Sequence, residues 1–443
     1  MTDRSRFDAR GGGPIRGVAR VPGDKSISHR AVMLGALANG VTEVTGFLPG
    51  TDTLATLAVF EQLGVQIERP ADDRLIIHGV GLHGLSAPVA PLDMGNSGTG
   101  MRLMTGILAA QPFLTTLVGD HSLSRRPMGR VLDPLELMGA CIDSESDQQG
   151  GKLPPLNFRP VRSLQGIDYR LPMASAQVKS CLLLAGLYAL GTTRVTEPAP
   201  TRDHTERMLR GFGYEVVKQG SEVSLEGGGS LSSCNIHVPA DISSATFPLI
   251  AALISPGSEL VLEQVGINPT RDGVVHILRQ MGAQIELINQ REEGGEPVAD
   301  LRVIGSALRG TRIGGERVAV AIDEIPALAV AAACATGITE IVDAAELRVK
   351  ESDRIATTVA GLRALGIQVE ERPDGMVIHG GQLRGGQVDA AGDHRLAMAF
   401  AVASLRADGP VEIFDCDNVV TSFPDFVPLM FGLGLNIYYG PRD

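Results

Sequence analysis

The chain has 443 residues, 44% of them hydrophobic, with 51 acidic against 39 basic side chains and a formal charge of −12. That length predicts two domains with separate cores, and the acidic balance excludes nucleic acid or an anionic membrane as partner, because both demand a basic surface. The five cysteines lie far apart, mostly in apolar runs, and neither Cys nor His clusters at metal-ligand spacing, which points to a reducing compartment and to no bound transition metal.

The N-terminal run MTDRSRFDARGGG lacks the apolar core of a signal peptide, and the longest apolar stretch, near Ile325 to Ile338, is too short to span a bilayer. A soluble cytoplasmic protein is expected. Only five of its cations are lysines, against 34 arginines, and Lys25, Lys179 and Lys350 all sit in runs that start helices.

A unit of roughly 70 residues recurs six times along the chain. Its marker is a hydrophobic residue followed by Gly, at Leu63-Gly64, Met138-Gly139, Phe212-Gly213, Met281-Gly282, Leu365-Gly366 and Leu433-Gly434. Ahead of each marker come a small-residue apolar run such as AVMLGALANG, a β-rich run such as TEVTGF and a second amphipathic run. The order predicts helix, strand, helix, strand.

The first repeat follows Val21-Pro22-Gly23-Asp24 and starts its first helix with GDKSISHR. Lys-Ser after Gly suggests a phosphate loop, but Asp24 breaks the required Gly-Lys pair, so a nucleotide kinase is disfavoured. Lys25, Ser26 and Arg30 remain as a clamp for a small anion or as a capped, solvated helix end. The second repeat offers GNSGTGMR from Gly95, where Asn96 and Thr99 can hydrogen-bond a ligand and the glycines admit its close approach, although such loops are also ordinary turns. Further on, SRRPMG places Arg125 and Arg126 before a Pro suited to the first helical position, with one of the two arginines expected to be merely solvated.

The third repeat carries MASAQVKS from Met173 and TRDHTERM from Thr201. A second crossover, Val238-Pro239-Ala240-Asp241, matches the first and separates three repeats from three. The pair predicts a hinge near 21–24 and 238–241, a discontinuous first domain of 1–22 plus 240–443, and a second domain of 23–239.

The fourth repeat has ADISSATF from Ala240 and PTRDGV from Pro269; the fifth has IDEIPALA from Ile322 and LRVKESDR from Leu347; the sixth has DHRLAMA from Asp393. In LRVKESDR the spacing groups Lys350, Glu351 and Arg354 within one helical turn, as a site or as an exposed salt-bridged helix. Asp323 and Glu324 precede an apolar helix, where one acid can serve as its cap. Helix N-termini attract anions; with repeats arranged about common axes, these starts converge on one anion-binding cleft.

GDKSISHRA, GNSGT, RPMGR, SAQVKS, RDHTE, KESDR, DHR and SFPDF occur in the order characteristic of a known family. Over essentially its full length the chain resembles the 5-enolpyruvylshikimate-3-phosphate synthases, or 3-phosphoshikimate 1-carboxyvinyltransferases, and its variant spellings look like the second class, whose members differ in tolerance to glyphosate. The resemblance implies an α/β (α+β) fold, a two-domain inside-out α/β barrel of six βαβαββ repeats, three per domain, with helix N-termini facing an interdomain cleft. It implies transfer of the enolpyruvyl group of phosphoenolpyruvate to the 5-hydroxyl of shikimate 3-phosphate in the shikimate pathway, with no cofactor and as a monomer.

Carried over residue by residue, Lys25, Ser26, Arg30, Ser175, Ala176, Gln177, Arg202, Asp323 and Lys350 look like the shikimate 3-phosphate side. Lys25, Asn96, Gly98, Arg126, Gln177, Arg354 and Arg395 look like the phosphoenolpyruvate side. Lys25, Asp323 and Glu351 are the implied catalytic trio. Some relatives have a Lys where this chain has Thr421, so that cation is not expected here. The alternatives are a UDP-N-acetylglucosamine enolpyruvyl transferase, disfavoured because the loop GDHSLSRRPMG has no Cys, and a non-catalytic anion-binding repeat protein.

Overall fold

A computed structural model describes residues 5–440. The chain forms two compact units: one comprises the chain up to Asp24 with Pro239–Glu293 and everything from Pro297 onward, the other Lys25–Val238 with Gly294–Glu296. At the passages between them Gly23 and Ala240 form an antiparallel bridge, Asp24 donates its N–H to the Pro239 carbonyl, and Asp241 donates to that of Pro22.

The repeat is seen most plainly in residues 92–159. A strand at Leu92–Asp93 leads to a helix at Gly98–Leu108, a strand at Thr115–Val118, a helix at Gly129–Leu137 and a hairpin of Cys141–Ser146 with Lys152–Arg159. The first two strands pair in parallel and the hairpin adds antiparallel. This is one βαβαββ unit. Residues 168–226 and 312–379 repeat it with the same strand order.

The other three repeats borrow a strand from elsewhere in the chain. The first helix of the molecule, Lys25–Leu37, is followed by the strand Ala38–Thr45, whose parallel neighbours are the late segments Leu231–Ser232 and Ile236–His237. In the discontinuous unit Arg16–Ala19 pairs in parallel with Glu259–Gly266, and Arg6–Arg10 slots between Val411–Phe414 and Asn436–Tyr439. The borrowed strands complete six sheets among the described residues, three in each unit.

Each repeat contributes two helices of different character. The first is built from small and aliphatic residues and is buried nearly all round: every residue of Ile242–Ile254 and of Ile325–Ala333 is buried, as expected of a helix enclosed by other elements. Ile242–Ile254, Ile325–Ala333 and His394–Ala403 pack on one another in the centre of their unit. In the other unit Gly98–Leu108 crosses Ala176–Gly186 so closely that a Cβ on Gly106 would lie 2.2 Å from the Cys181 carbonyl oxygen, so only glycine fits there.

The second helix ends at the marker seen in the sequence. All six marker glycines have positive φ, from +78° at Gly213 to +116° at Gly434, and the preceding hydrophobic residue is buried in every case. The left-handed glycine stops the helix and turns the chain toward the hairpin, while its neighbour anchors the stop in the core. One expectation is corrected here: Pro127 does not begin a helix, which starts two residues later at Gly129.

Candidate active site

In the continuous unit the helix starts carry hydroxyls and amides as partners for cations. Ser97 caps Gly98–Leu108 by accepting from the Gly100 N–H, and Ser175 caps Ala176–Gly186 by accepting from Val178. His29, fully buried, stands 2.8 Å from the Thr56 hydroxyl and 3.3 Å from that of Ser97, tying three helices together.

Arg30 is buried and donates to Thr205 Oγ1 at 2.7 Å, Ser180 Oγ at 2.8 Å and the Ser26 carbonyl at 2.9 Å. Arg126 donates to Asn96 Oδ1 at 3.0 Å, and the Asn96 amide donates in turn to Asp120 at 2.7 Å. Gln177 accepts from Arg102 at 2.8 Å and donates to Thr99 Oγ1 at 3.0 Å. A Cβ on Gly98 would lie 3.0 Å from an Arg126 nitrogen and 3.3 Å from one of Arg102. Two guanidinium groups therefore flank that glycine.

Lys25 differs from these arginines: its Nζ is 2.5 Å from Asp52 Oδ2, with the lysine side chain 20% exposed. Ala176 is the first residue of its helix, and Arg202 lies half-buried in the irregular segment 197–203. Sequence reasoning missed Arg102 and Asp52. Arg102 follows Gly98 by four residues inside GNSGTGMR, one helical turn along the same face, and Asp52 stands in the first turn of Thr51–Gln62. Both signals were present.

In the discontinuous unit the cations are held by carboxylates. Arg354 has a side chain 1% exposed and donates to Asp393 Oδ2 at 2.7 Å, Glu351 Oε2 at 2.7 Å and Asp323 Oδ1 at 3.2 Å. Burial opposes its charge, but Asp393, Glu351 and Asp323 together outweigh that penalty and raise its pKa. Lys350 Nζ lies 3.4 Å from the same Asp323 oxygen, and Arg395 donates to the Asp323 carbonyl at 3.3 Å.

Behind this cluster Arg271, also buried, donates to Ser243 Oγ at 2.6 Å and pairs with Asp241 at 3.2 Å and Asp24 at 3.6 Å. Burial, followed by the nearby charge of Asp24, pushes the Asp241 carboxyl up to about 6 against the pull of Arg271. Glu324 accepts from the Ser243 hydroxyl.

The structure corrects the reading of KESDR as one helical turn. A short 3₁₀ helix ends at Val349, Lys350 is extended, and the following helix, Arg354–Ala364, is capped by Asp353. Lys350 and Arg354 meet because both reach Asp323. Thr421 is nearly buried and donates to the Asn418 carbonyl at 2.7 Å, so it supplies no cation. Among the described residues no group of His, Cys, Asp and Glu is arranged to hold a metal ion, and no helix is long and apolar enough to cross a membrane.

Six repeats in two units, with cations gathered at helix starts and carboxylates gathered around some of them, define a class of protein with the chemistry to bind small anions. The sequence pattern of the EPSP synthase (3-phosphoshikimate 1-carboxyvinyltransferase) family matches residues 9–430. The 3-phosphoshikimate 1-carboxyvinyltransferase of Methylococcus capsulatus is 62% identical over 431 residues, 97% of this chain and 98% of that protein. That of Alkalilimnicola ehrlichii is 60% identical over 438 residues, covering 99% and 97%. The solved EPSP synthase of Acinetobacter baumannii is 52% identical, with a TM-score of 0.89 over 98% of this chain and 100% of that one. The chain belongs to the EPSP synthase family.

Proposed function

We propose that this protein transfers the enolpyruvyl group of phosphoenolpyruvate to the 5-hydroxyl of shikimate 3-phosphate, releasing inorganic phosphate. The observation that carries this reading is the convergence of Asp323, Lys350, Glu351 and Asp393 around the buried Arg354 in one network of ion pairs, in a chain with full-length similarity to proteins named for that reaction.

The substrates bring two phosphates and two carboxylates. Shikimate 3-phosphate is assigned to Lys25, Ser26, Arg30, Ser175, Ala176, Gln177, Arg202, Asp323 and Lys350. Phosphoenolpyruvate is assigned to Lys25, Asn96, Gly98, Arg126, Gln177, Arg354 and Arg395. Amide and hydroxyl partners hold the guanidinium groups of Arg30, Arg102 and Arg126 in fixed positions, and a charged donor so placed bonds an anion more strongly than a neutral one.

The reaction begins when a proton is delivered to the methylene carbon of phosphoenolpyruvate, leaving cationic character at the adjacent carbon. The 5-hydroxyl oxygen attacks that carbon and gives up its proton. Loss of a proton from the new methyl group then re-forms the double bond as the C–O bond to phosphate breaks. Glu351 is assigned as donor and acceptor at the methylene, Asp323 as base toward the 5-hydroxyl and Lys25 as stabiliser of developing charge. Carboxylates placed beside cations can relay protons in this way.

The proposal includes the cytoplasm as location, in keeping with five free thiols, and a monomer as the working form. Its test is phosphate release with each substrate alone and with both, in the presence of EDTA. Release only with both substrates, at a rate EDTA leaves unchanged, is expected; comparable release from phosphoenolpyruvate alone overturns the reading.

A further inference from the structure

Lys179 lies in the helix Ala176–Gly186 with its side chain fully buried, and its Nζ contacts two buried carboxylates, Glu206 at 2.6 Å and Glu197 at 3.0 Å. A buried ion pair is a poor route to stability, since apolar residues of similar volume often serve as well or better. One cation with two anions is a still less economical core. The cluster calls for a role other than holding the fold together.

Its connections indicate one. Glu197 leaves the strand Thr192–Thr196, and its second oxygen accepts from the Thr201 hydroxyl, spanning the segment Glu197-Pro198-Ala199-Pro200-Thr201. Two prolines stiffen that segment, and Arg202 comes next. Glu206 stands in the first turn of the helix His204–Gly211, directly after Thr205, whose hydroxyl donates to Ser180 at 2.8 Å. Two consecutive residues of one helix, Lys179 and Ser180, therefore grip two consecutive residues at the start of the other. The first helix begins with the Ser175-Ala176-Gln177 segment, and the second follows Arg202.

We propose that Lys179, acting through Glu197 and Thr201, is a positioning residue that fixes Arg202 relative to the Ser175–Gln177 segment, so that both hold shikimate 3-phosphate at once. This rests on the assignment of Arg202 to that substrate. The strut includes none of the residues assigned to either substrate. Its loss therefore weakens capture of shikimate 3-phosphate and leaves phosphoenolpyruvate untouched.

Thr201→Val removes the hydroxyl while keeping the buried ion triad, so the variant folds even where Lys179→Met does not. Its expected effect is a rise of about tenfold in KM for shikimate 3-phosphate, the scale of one hydrogen bond to a charged group, with kcat and KM for phosphoenolpyruvate nearly unchanged and the melting temperature lowered by no more than a few degrees. Arg202→Ala should raise the same KM at least as far. The double variant should add little to Arg202→Ala alone, because both changes act through one group.

The triple variant Lys179→Met, Glu197→Gln, Glu206→Gln removes the buried charges together and should show the same split between the two KM values. No change in Thr201→Val beside a clear effect of Arg202→Ala overturns the proposal alone, as does a parallel rise in both KM values or full additivity in the double variant. No effect of Arg202→Ala overturns the assignment of Arg202 and the proposal with it.

Discussion

The two units begin their helices with different chemistry. In the continuous unit the caps are Ser97 and Ser175, and Arg30, Arg102 and Arg126 meet hydroxyls, amides and carbonyls, while the lysines Lys25 and Lys179 pair with carboxylates. In the discontinuous unit the caps are Asp241, Asp353 and Asp393, and Arg271 and Arg354 are ringed by carboxylates. A neutral cap satisfies a backbone N–H but leaves the positive end of the helix dipole uncompensated, whereas an aspartate cancels it. The first arrangement orients arginines with hydroxyls and amides, the second sets carboxylates against buried arginines, and both units contribute residues assigned to the substrates.

The contrast is broken most severely at the proposed acid–base groups. Glu351→Gln and Asp323→Asn retain shape and hydrogen bonding but cannot exchange protons, so turnover should fall by about a hundredfold or more. Steady-state phosphate release measures it, and near-normal turnover in either variant removes that residue from the mechanism.

Exchanging cations sharpens the comparison. Arg354→Met strands Asp393 and its neighbours in a buried site, and a loss of about 3–5 kcal/mol in unfolding free energy is expected. Arg126→Met removes a half-buried cation whose partner Asn96 keeps its bond to Asp120, so stability should change by less than about 1 kcal/mol. Its KM for phosphoenolpyruvate should instead rise by roughly ten- to a hundredfold, the scale of a lost charge-assisted bond. Denaturant titration beside steady-state kinetics tests both halves, and equal stability losses would dissolve the distinction.

A smaller effect is expected at Gly98. Its added methyl in Gly98→Ala would press on the Arg126 and Arg102 guanidinium groups, displacing the donors that meet phosphoenolpyruvate. Glyphosate, a longer molecule expected at the same place, should lose more affinity than the substrate. Inhibition constants and KM for both proteins decide it, with equal losses showing that Gly98 does not discriminate.

A further effect is a pH dependence in the carboxylate-rich unit. Asp241 has its carboxyl raised from 3.8 to about 6 by burial and by Asp24, while Arg271 and Arg395 oppose the rise. The folded chain therefore binds this proton more tightly than the unfolded chain. The resulting stability is full below about pH 4 and is lost as pH rises past 6. Asp241→Asn keeps an oxygen for the Ser243 N–H and cannot ionise, so it should gain stability relative to the parent protein between pH 4 and 7. Parallel melting curves across that range would refute this.

Much of the architecture was legible because each repeat ends its second helix at a left-handed glycine after a buried hydrophobic residue, a local requirement that leaves a local mark. The borrowed strands were not legible. Arg6–Arg10, Leu231–Ser232 and Ile236–His237 are short, and their partners lie far along the chain, where alternation over two to five residues cannot name a neighbour. Lys25, Gln177, Asp323, Lys350, Glu351 and Arg354 could be named from motif order, but not what holds each one. That Arg126 meets an amide while Arg354 meets three carboxylates is decided by tertiary approach. Lys179 stands in the helix-start run MASAQVKS, and nothing in that spelling shows that it points into the core.

The assignment of Glu351 to proton transfer is tested most directly by titrating shikimate 3-phosphate into Glu351→Gln in a calorimeter, with turnover of the same sample measured alongside. Because Glu351 is assigned to proton transfer and to neither substrate's binding, the dissociation constant should stay within about threefold of the parent protein while turnover falls by about a hundredfold or more. A dissociation constant that weakens in step with turnover would show that Glu351 binds the substrate rather than moving its protons, and would contradict the account.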